Sequence, residues 1–154
     1  MTLTKKIKDK KVNFEFNKEY IKVLTDKISN NDAIFITNSF KEMHPADAAD
    51  IIEHLNQNDR ESLIKLNEFK IDPDVFIELN ESVQSEIIKY LSSASITRIL
   101  KNLESDDAIK ILENVDESEK NSILSELPPK DRFALLEGLS YPEDSAARIM
   151  QREF

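Results

Sequence analysis

The chain has 154 residues, a net charge of -9 at pH 7, one glycine and no cysteine. This length predicts a single domain with tails, and the absence of cysteine excludes disulfides, thiolate zinc sites and cysteine nucleophiles. The acidic balance disfavours nucleic-acid binding, which depends on neutralising phosphates with Lys and Arg, and suits cations or basic partners. No apolar run is long enough to span a bilayer, so we expect no direct membrane insertion by this chain.

Residues 1–18 form the first predicted segment. Five lysines fall within the first eleven residues, and no apolar stretch follows them. A signal peptide requires such a stretch, so we interpret this segment as a flexible basic N-terminal arm.

Residues 19–140 are the predicted α-superhelical domain, and from Ile51 to Leu139 the chain carries an apolar pattern with a period of twelve. Each unit has apolar side chains at positions i, i+1 and i+4, which lie on one side of an α-helix, whereas a strand would alternate. Twelve residues correspond to about two helical turns and a short connection. The eight units are Ile51-Ile52-Leu55, Leu63-Ile64 with Leu66 beside the interrupting Asn67, Val75-Phe76-Leu79, Ile87-Ile88-Leu91, Ile99-Leu100-Leu103, Ile111-Leu112-Val115, Ile123-Leu124-Leu127 and Leu135-Leu136-Leu139.

Helices this short are unstable alone and need neighbours to cover their apolar triplets. A constant period therefore predicts an all-α fold, a right- or left-handed superhelix (solenoid) of short helices. Helix-start signals precede several units. The predicted N-caps are Asp72 and His44, each before a proline, Pro128 before Pro129, Ser92, Ser105, and Asp116, which has capping-box spacing with Glu119.

No catalytic constellation is apparent in the sequence. His44 and His54 are the two histidines, they lie ten residues apart, and no zinc spacing joins them. We interpret them as a cap residue and a surface residue. Nucleophile turns and phosphate loops need more glycine than this chain has. We therefore do not expect an enzyme.

Acidic residues recur in the first turns of the predicted helices, at Asp47, Asp74, Asp106 and Asp107. The helix dipole favours acids at these positions, so they need no function to explain them. The alternative is that acids from several helix starts share one edge and attract a divalent cation. Mg²⁺ suits this arrangement because it takes oxygen ligands, keeps much of its water and often touches one or two carboxylates.

Three segments resemble the cytosolic N-terminal domain of MgtE-type magnesium transporters. They are HPADAADIIEHLN, LESDDAIKILENV and LPPKDRFALLEGLSYPEDSAARIMQREF, and the resemblance runs from about Tyr20 to the end. It implies a superhelix of short helices followed by a pair of CBS domains, a linking helix and a membrane domain. Residues 141–154 would then be the exit segment toward a CBS domain absent from this chain. The family usually has Gly where this chain has Ala147.

The resemblance also implies a function. Mg²⁺ bound between this domain and the CBS domains of the same polypeptide would favour a closed pore, with Asp74 and Asp106 as metal ligands and Asp107 as a cap or supporting group. The transporter would act as a homodimer, with this domain on the cytoplasmic face of the inner (plasma) membrane. The alternative is a metal-independent helical-repeat module that binds a protein partner, because an acidic superhelix suits both functions.

Overall fold

In a computed structural model, the described residues are 18–66, 70–142 and 144–146, and every regular element among them is a helix. The predicted all-α fold is therefore confirmed. The predicted arm, except Lys18, lies outside the described residues. So do Asn67 and most of the exit segment, including Ala147.

Ten helices are described, and their starts follow the twelve-residue period. From α2 to α10, every helix except α5 begins a multiple of twelve residues after Ala33. Helix α5 begins at Pro73, where Asp72 provides the N-cap and proline occupies the first helical position. The helices are α1 Lys18–Ser29, α2 Ala33–Lys41, α3 Pro45–His54, α4 Gln57–Lys65, α5 Pro73–Glu78, α6 Glu81–Ile88, α7 Ser93–Leu100, α8 Ser105–Glu113, α9 Glu117–Glu126 and α10 Pro129–Ser140.

The chain divides into two compact units, one ending at Ile71 and one beginning at Asp72. In the first unit, α1 packs against α2 and α4. In the second unit, alternate helices pack together: α5 on α7, α7 on α9, α6 on α8, and α8 on α10. The second unit therefore has two rows of helices, and α8 lies inside one of them. The handedness and continuity of a superhelix remain predictions.

The apolar triplets form the core, as the period predicts. All three residues are buried in the units that begin at Ile51, Val75, Ile99, Ile111 and Ile123. The unit of α10 departs from this rule, because Leu135 is buried while Leu136 is 48% exposed. The side chains of consecutive residues point about 100° apart around a helix, so the face of α10 that packs on α8 need not include both.

A side-chain donor recurs at the fourth residue of α4, α6 and α10. Arg60 Nη1 donates to Leu55 O at 2.6 Å, Gln84 Nε2 to Phe76 O at 2.9 Å, and Arg132 Nε to Leu124 O at 2.9 Å. Each acceptor lies in the last turn or at the C-cap of the preceding helix, where carbonyls lack the full set of helical partners. These donors therefore tie each helix end to the next helix.

The predicted N-caps have mixed outcomes. Asp72, His44 and Ser92 each accept a backbone N–H, from Asp74 at 2.8 Å, Ala46 at 3.3 Å and Ser95 at 3.2 Å respectively. Asp116 occupies the N-cap position of α9, but its side chain makes no cap hydrogen bond, so the predicted capping box is wrong.

Candidate metal site at the start of helix α8

Helix α8 begins at Ser105, one residue before the start that the predicted N-cap Ser105 implies. Ser105 is the first helical residue and is fully buried, while Glu104 takes the N-cap position without a side-chain cap bond. The prediction of Ser105 as N-cap is therefore wrong, because its hydroxyl lies in the core rather than at an exposed turn. Asp106 and Asp107 nevertheless lie in the first turn of α8, as predicted.

Three carboxylates converge at this helix start. One oxygen from each of Glu104, Asp106 and Asp107 lies within 4.8 Å of the others, with Glu104 exposed and the two aspartates half-buried. The helix dipole and the first backbone N–H groups offset part of their repulsion. We call these three residues the α8 acid cluster.

Asp106 has an oxygen that the protein leaves unsatisfied. Its Oδ1 is buried and accepts no hydrogen bond from the described residues. A buried polar atom without a partner is costly, so this atom fits a ligand that supplies positive charge. Asp107 differs, because its Oδ1 lies 3.7 Å from Lys110 Nζ in an exposed ion pair.

The recurring donor is missing at α8. Its fourth residue is Ala108, which is fully buried and carries no donor. The junction between α7 and α8 therefore combines three carboxylates with an alanine where α4, α6 and α10 carry arginine or glutamine.

Open space adjoins the α8 acid cluster. Asp107 and Lys110 line a cavity of about 400 Å³ among α5, α6 and α8, with Glu81 and Glu113 also on its wall. Mg²⁺ retains several waters when it binds protein, so a site beside such a space suits a hydrated ion. Mg²⁺ takes oxygen ligands and usually contacts one or two carboxylates while keeping its other waters, so the residues present fit this metal.

The two predicted ligands lie on different helices of the second unit. Asp106 belongs to the α8 acid cluster, and Asp74 does not. Asp74 is exposed in the first turn of α5, and its backbone N–H donates to Asp72 Oδ1 at 2.8 Å. Helix α5 packs against α7, which directly precedes α8. A joint role for Asp74 and Asp106 remains a prediction, and Asp47 lies on α3 in the other unit.

Glu104 is the member of the cluster that sequence reasoning missed. The segment LESDDA places acids at positions i, i+2 and i+3, and this spacing is the available signal. The signal is weak, because residue i+2 on a regular helix does not face residue i. Glu104 joins the aspartates because it stands at the N-cap, outside the regular helix.

The sequence matches a known family over most of its length. The family is described as the MgtE intracellular N domain, and the match covers residues 43–144. The chain belongs to this family. As an MgtE intracellular N domain it has no helix, among the residues described, that is long and apolar enough to cross a membrane.

A solved structure shares the fold of this MgtE N domain. The crystal structure of the soluble part of a magnesium transporter superimposes with a TM-score of 0.64 at 22% identity. The alignment covers 89% of this chain and 54% of that one, so this chain spans about half of the solved protein. A comparison with curated proteins finds no match.

Proposed function

We propose that this chain is the cytosolic Mg²⁺-sensing regulatory domain of a magnesium transporter. The match to the MgtE intracellular N domain over residues 43–144 carries this proposal. The fold shared with the soluble part of a magnesium transporter supports it. The longer polypeptide would contain CBS domains, act as a homodimer and hold this domain at the cytoplasmic face of the plasma membrane.

The proposed sensor works through the repulsion and neutralisation of acidic faces. Asp106 and Asp74 would contact Mg²⁺ directly or through water, and acids of the CBS domains would complete the site. Bound Mg²⁺ supplies positive charge between faces that otherwise repel each other. Because the ion binds the closed arrangement better than the open one, it shifts the population toward a closed pore when Mg²⁺ is abundant.

Asp106 is the better supported of the two proposed ligands. Its buried Oδ1 has no hydrogen-bond partner among the described residues, and Glu104 and Asp107 add negative charge beside it. Asp74 has an exposed side chain at a helix start, which suits a ligand shared with another domain. A site completed by another domain binds weakly when that domain is absent, so the test must detect weak occupancy.

The test is paramagnetic broadening by Mn²⁺, which replaces Mg²⁺ and broadens nearby amide signals even at low occupancy. We expect Mn²⁺ to broaden the amides of residues 104–108 in the isolated chain, and excess Mg²⁺ to restore them. The Asp106→Asn variant should need more Mn²⁺ for the same broadening. Asp47→Asn is the matched control, because it removes a first-turn acid outside the α8 acid cluster.

Two results would contradict the proposal. Equal broadening in the wild type and in Asp106→Asn would remove Asp106 from the site. No broadening near α8 in the wild type, at concentrations that broaden other acidic surfaces, would favour the metal-independent interaction module.

A further inference from the structure

Gly138 lies buried inside α10 and is the one glycine of the chain. Glycine in a helix interior is unfavourable, because it loses more backbone freedom than other residues. A glycine at such a position usually has a packing reason. Here the reason is the contact between α10 and α8.

A side chain at this position would meet the side chain of Ile109 on α8. A Cβ on residue 138 would lie 2.2 Å from Ile109 Cδ1 and 3.3 Å from Ile109 Cγ1. The first distance is far inside van der Waals contact, and Ile109 is 3% exposed. A larger residue at 138 would therefore have to turn Ile109 within a packed core or push α8 away.

Ile109 connects this contact to the α8 acid cluster. It follows Asp106 by three residues, and residues at i and i+3 are neighbours on a helix surface. Ile109 is the fifth residue of α8, so it directly follows the first turn that carries the two aspartates. The buried Oδ1 of Asp106 leaves little room for that turn to move without changing the cluster.

We infer that Gly138 is a positioning residue, whose contact with Ile109 sets the place of the α8 first turn and of the Asp106 and Asp107 carboxylates. The consequence for Mg²⁺ rests on the proposed function, whereas the positioning itself does not.

A rescue experiment tests this inference. Gly138→Ala should shift the amide resonances of residues 105–108 in the metal-free chain. It should also raise the Mn²⁺ concentration needed to broaden them by at least about twofold, the lower end of coupling between contacting residues. Adding Ile109→Val should restore both, because valine lacks the Cδ1 atom. Ser140→Ala, an exposed change on the same helix, is the control and should leave both unchanged.

The comparison of double variants keeps the test decisive if Gly138→Ala alone does not fold. The folding of Gly138→Ala should then be restored by adding Ile109→Val and not by adding Ile111→Val, which shortens another side chain of α8. Rescue by both, by neither or by Ile111→Val alone would overturn the inference, and so would unchanged amides of residues 105–108 in folded Gly138→Ala. The metal-free shifts test Gly138, and the wild-type Mn²⁺ response tests the proposed function, so the two can fail separately.

Discussion

Asp106→Asn should stabilise the metal-free chain, although it removes an acid from a helix start. At a separation of 4.8 Å, each pair of carboxylates in the α8 acid cluster repels by about 0.9 kcal/mol in water. Asp106 takes part in two such pairs, so its neutralisation removes about 1.7 kcal/mol of repulsion. The lost interaction with the helix dipole costs about 0.3–1 kcal/mol. The expected net gain is about 1 kcal/mol, or a rise in Tm of about 2–4 °C for a chain of this size.

The assay is thermal unfolding followed by circular dichroism at about 0.01 M ionic strength with a chelator present. Low salt matters because the screening length is then about 30 Å and the repulsion is nearly unscreened. In a second series without chelator, at an ionic strength held constant with NaCl, saturating Mg²⁺ should raise the Tm of the wild type more than that of Asp106→Asn, since ligand binding stabilises the state that binds it. Asp47→Asn loses the dipole interaction without relieving the cluster, so it should lower the stability by about 0.3–1 kcal/mol.

A metal-free Asp106→Asn variant that is less stable than the wild type at low salt would contradict repulsion within the α8 acid cluster. Equal stabilisation of the variant and the wild type by Mg²⁺ would contradict binding at Asp106. The first result would mean that the three carboxylates do not repel as their separation implies, and the second that the ion binds elsewhere.

Three further predictions concern the fold. Arg132→Leu should lower the free energy of unfolding, measured in urea, by about 1–3 kcal/mol, because carbonyls at the end of α9 lose the hydrogen bonds that Arg132 donates. A loss below about 0.5 kcal/mol would show that Arg132 does not tie α9 to α10. Leu112→Ala should lower the free energy of unfolding by about 2–5 kcal/mol, because the side chain is fully buried. Leu136→Ala should lower it clearly less, because Leu136 is exposed. Similar losses would contradict the assignment of the buried helix faces. Hydrogen bonds from Lys27 and the backbone lower the pKa of Asp32, so its folded pKa lies below its unfolded pKa. The stabilising contribution of Asp32 should therefore be present above about pH 4 and be lost as the pH falls through the folded pKa. A difference in Tm between the wild type and Asp32→Asn that grows on acidification would contradict this prediction.

The repeat made most of the fold predictable because each short helix must bury its own triplet. Eight helix starts in one register follow from that single requirement. Helix α5 departs because the local signal of Asp72 and Pro73 outweighs the period. The exposure of Leu136 was not predictable, since a period gives the spacing of apolar residues and not the face that each helix presents to its neighbour.

The candidate site was predictable only in part. Asp106 and Asp107 were visible as paired acids at a helix start, and the resemblance to a family singled out Asp106. Glu104 was not predictable as a member of the cluster. It joins the cluster because the buried Ser105 begins the helix and leaves Glu104 at the N-cap. The contact between Gly138 and Ile109 joins residues 29 positions apart, and no local pattern reports such a distance.

Limited proteolysis of the longer transporter polypeptide that the proposed function requires, across a series of Mg²⁺ concentrations, tests Mg²⁺ sensing by this domain most directly. Mg²⁺ should protect the wild type from cleavage between this domain and the rest of the polypeptide. The Asp74→Asn/Asp106→Asn double variant should need more Mg²⁺ for the same protection. Equal protection of the two proteins would contradict the sensor account.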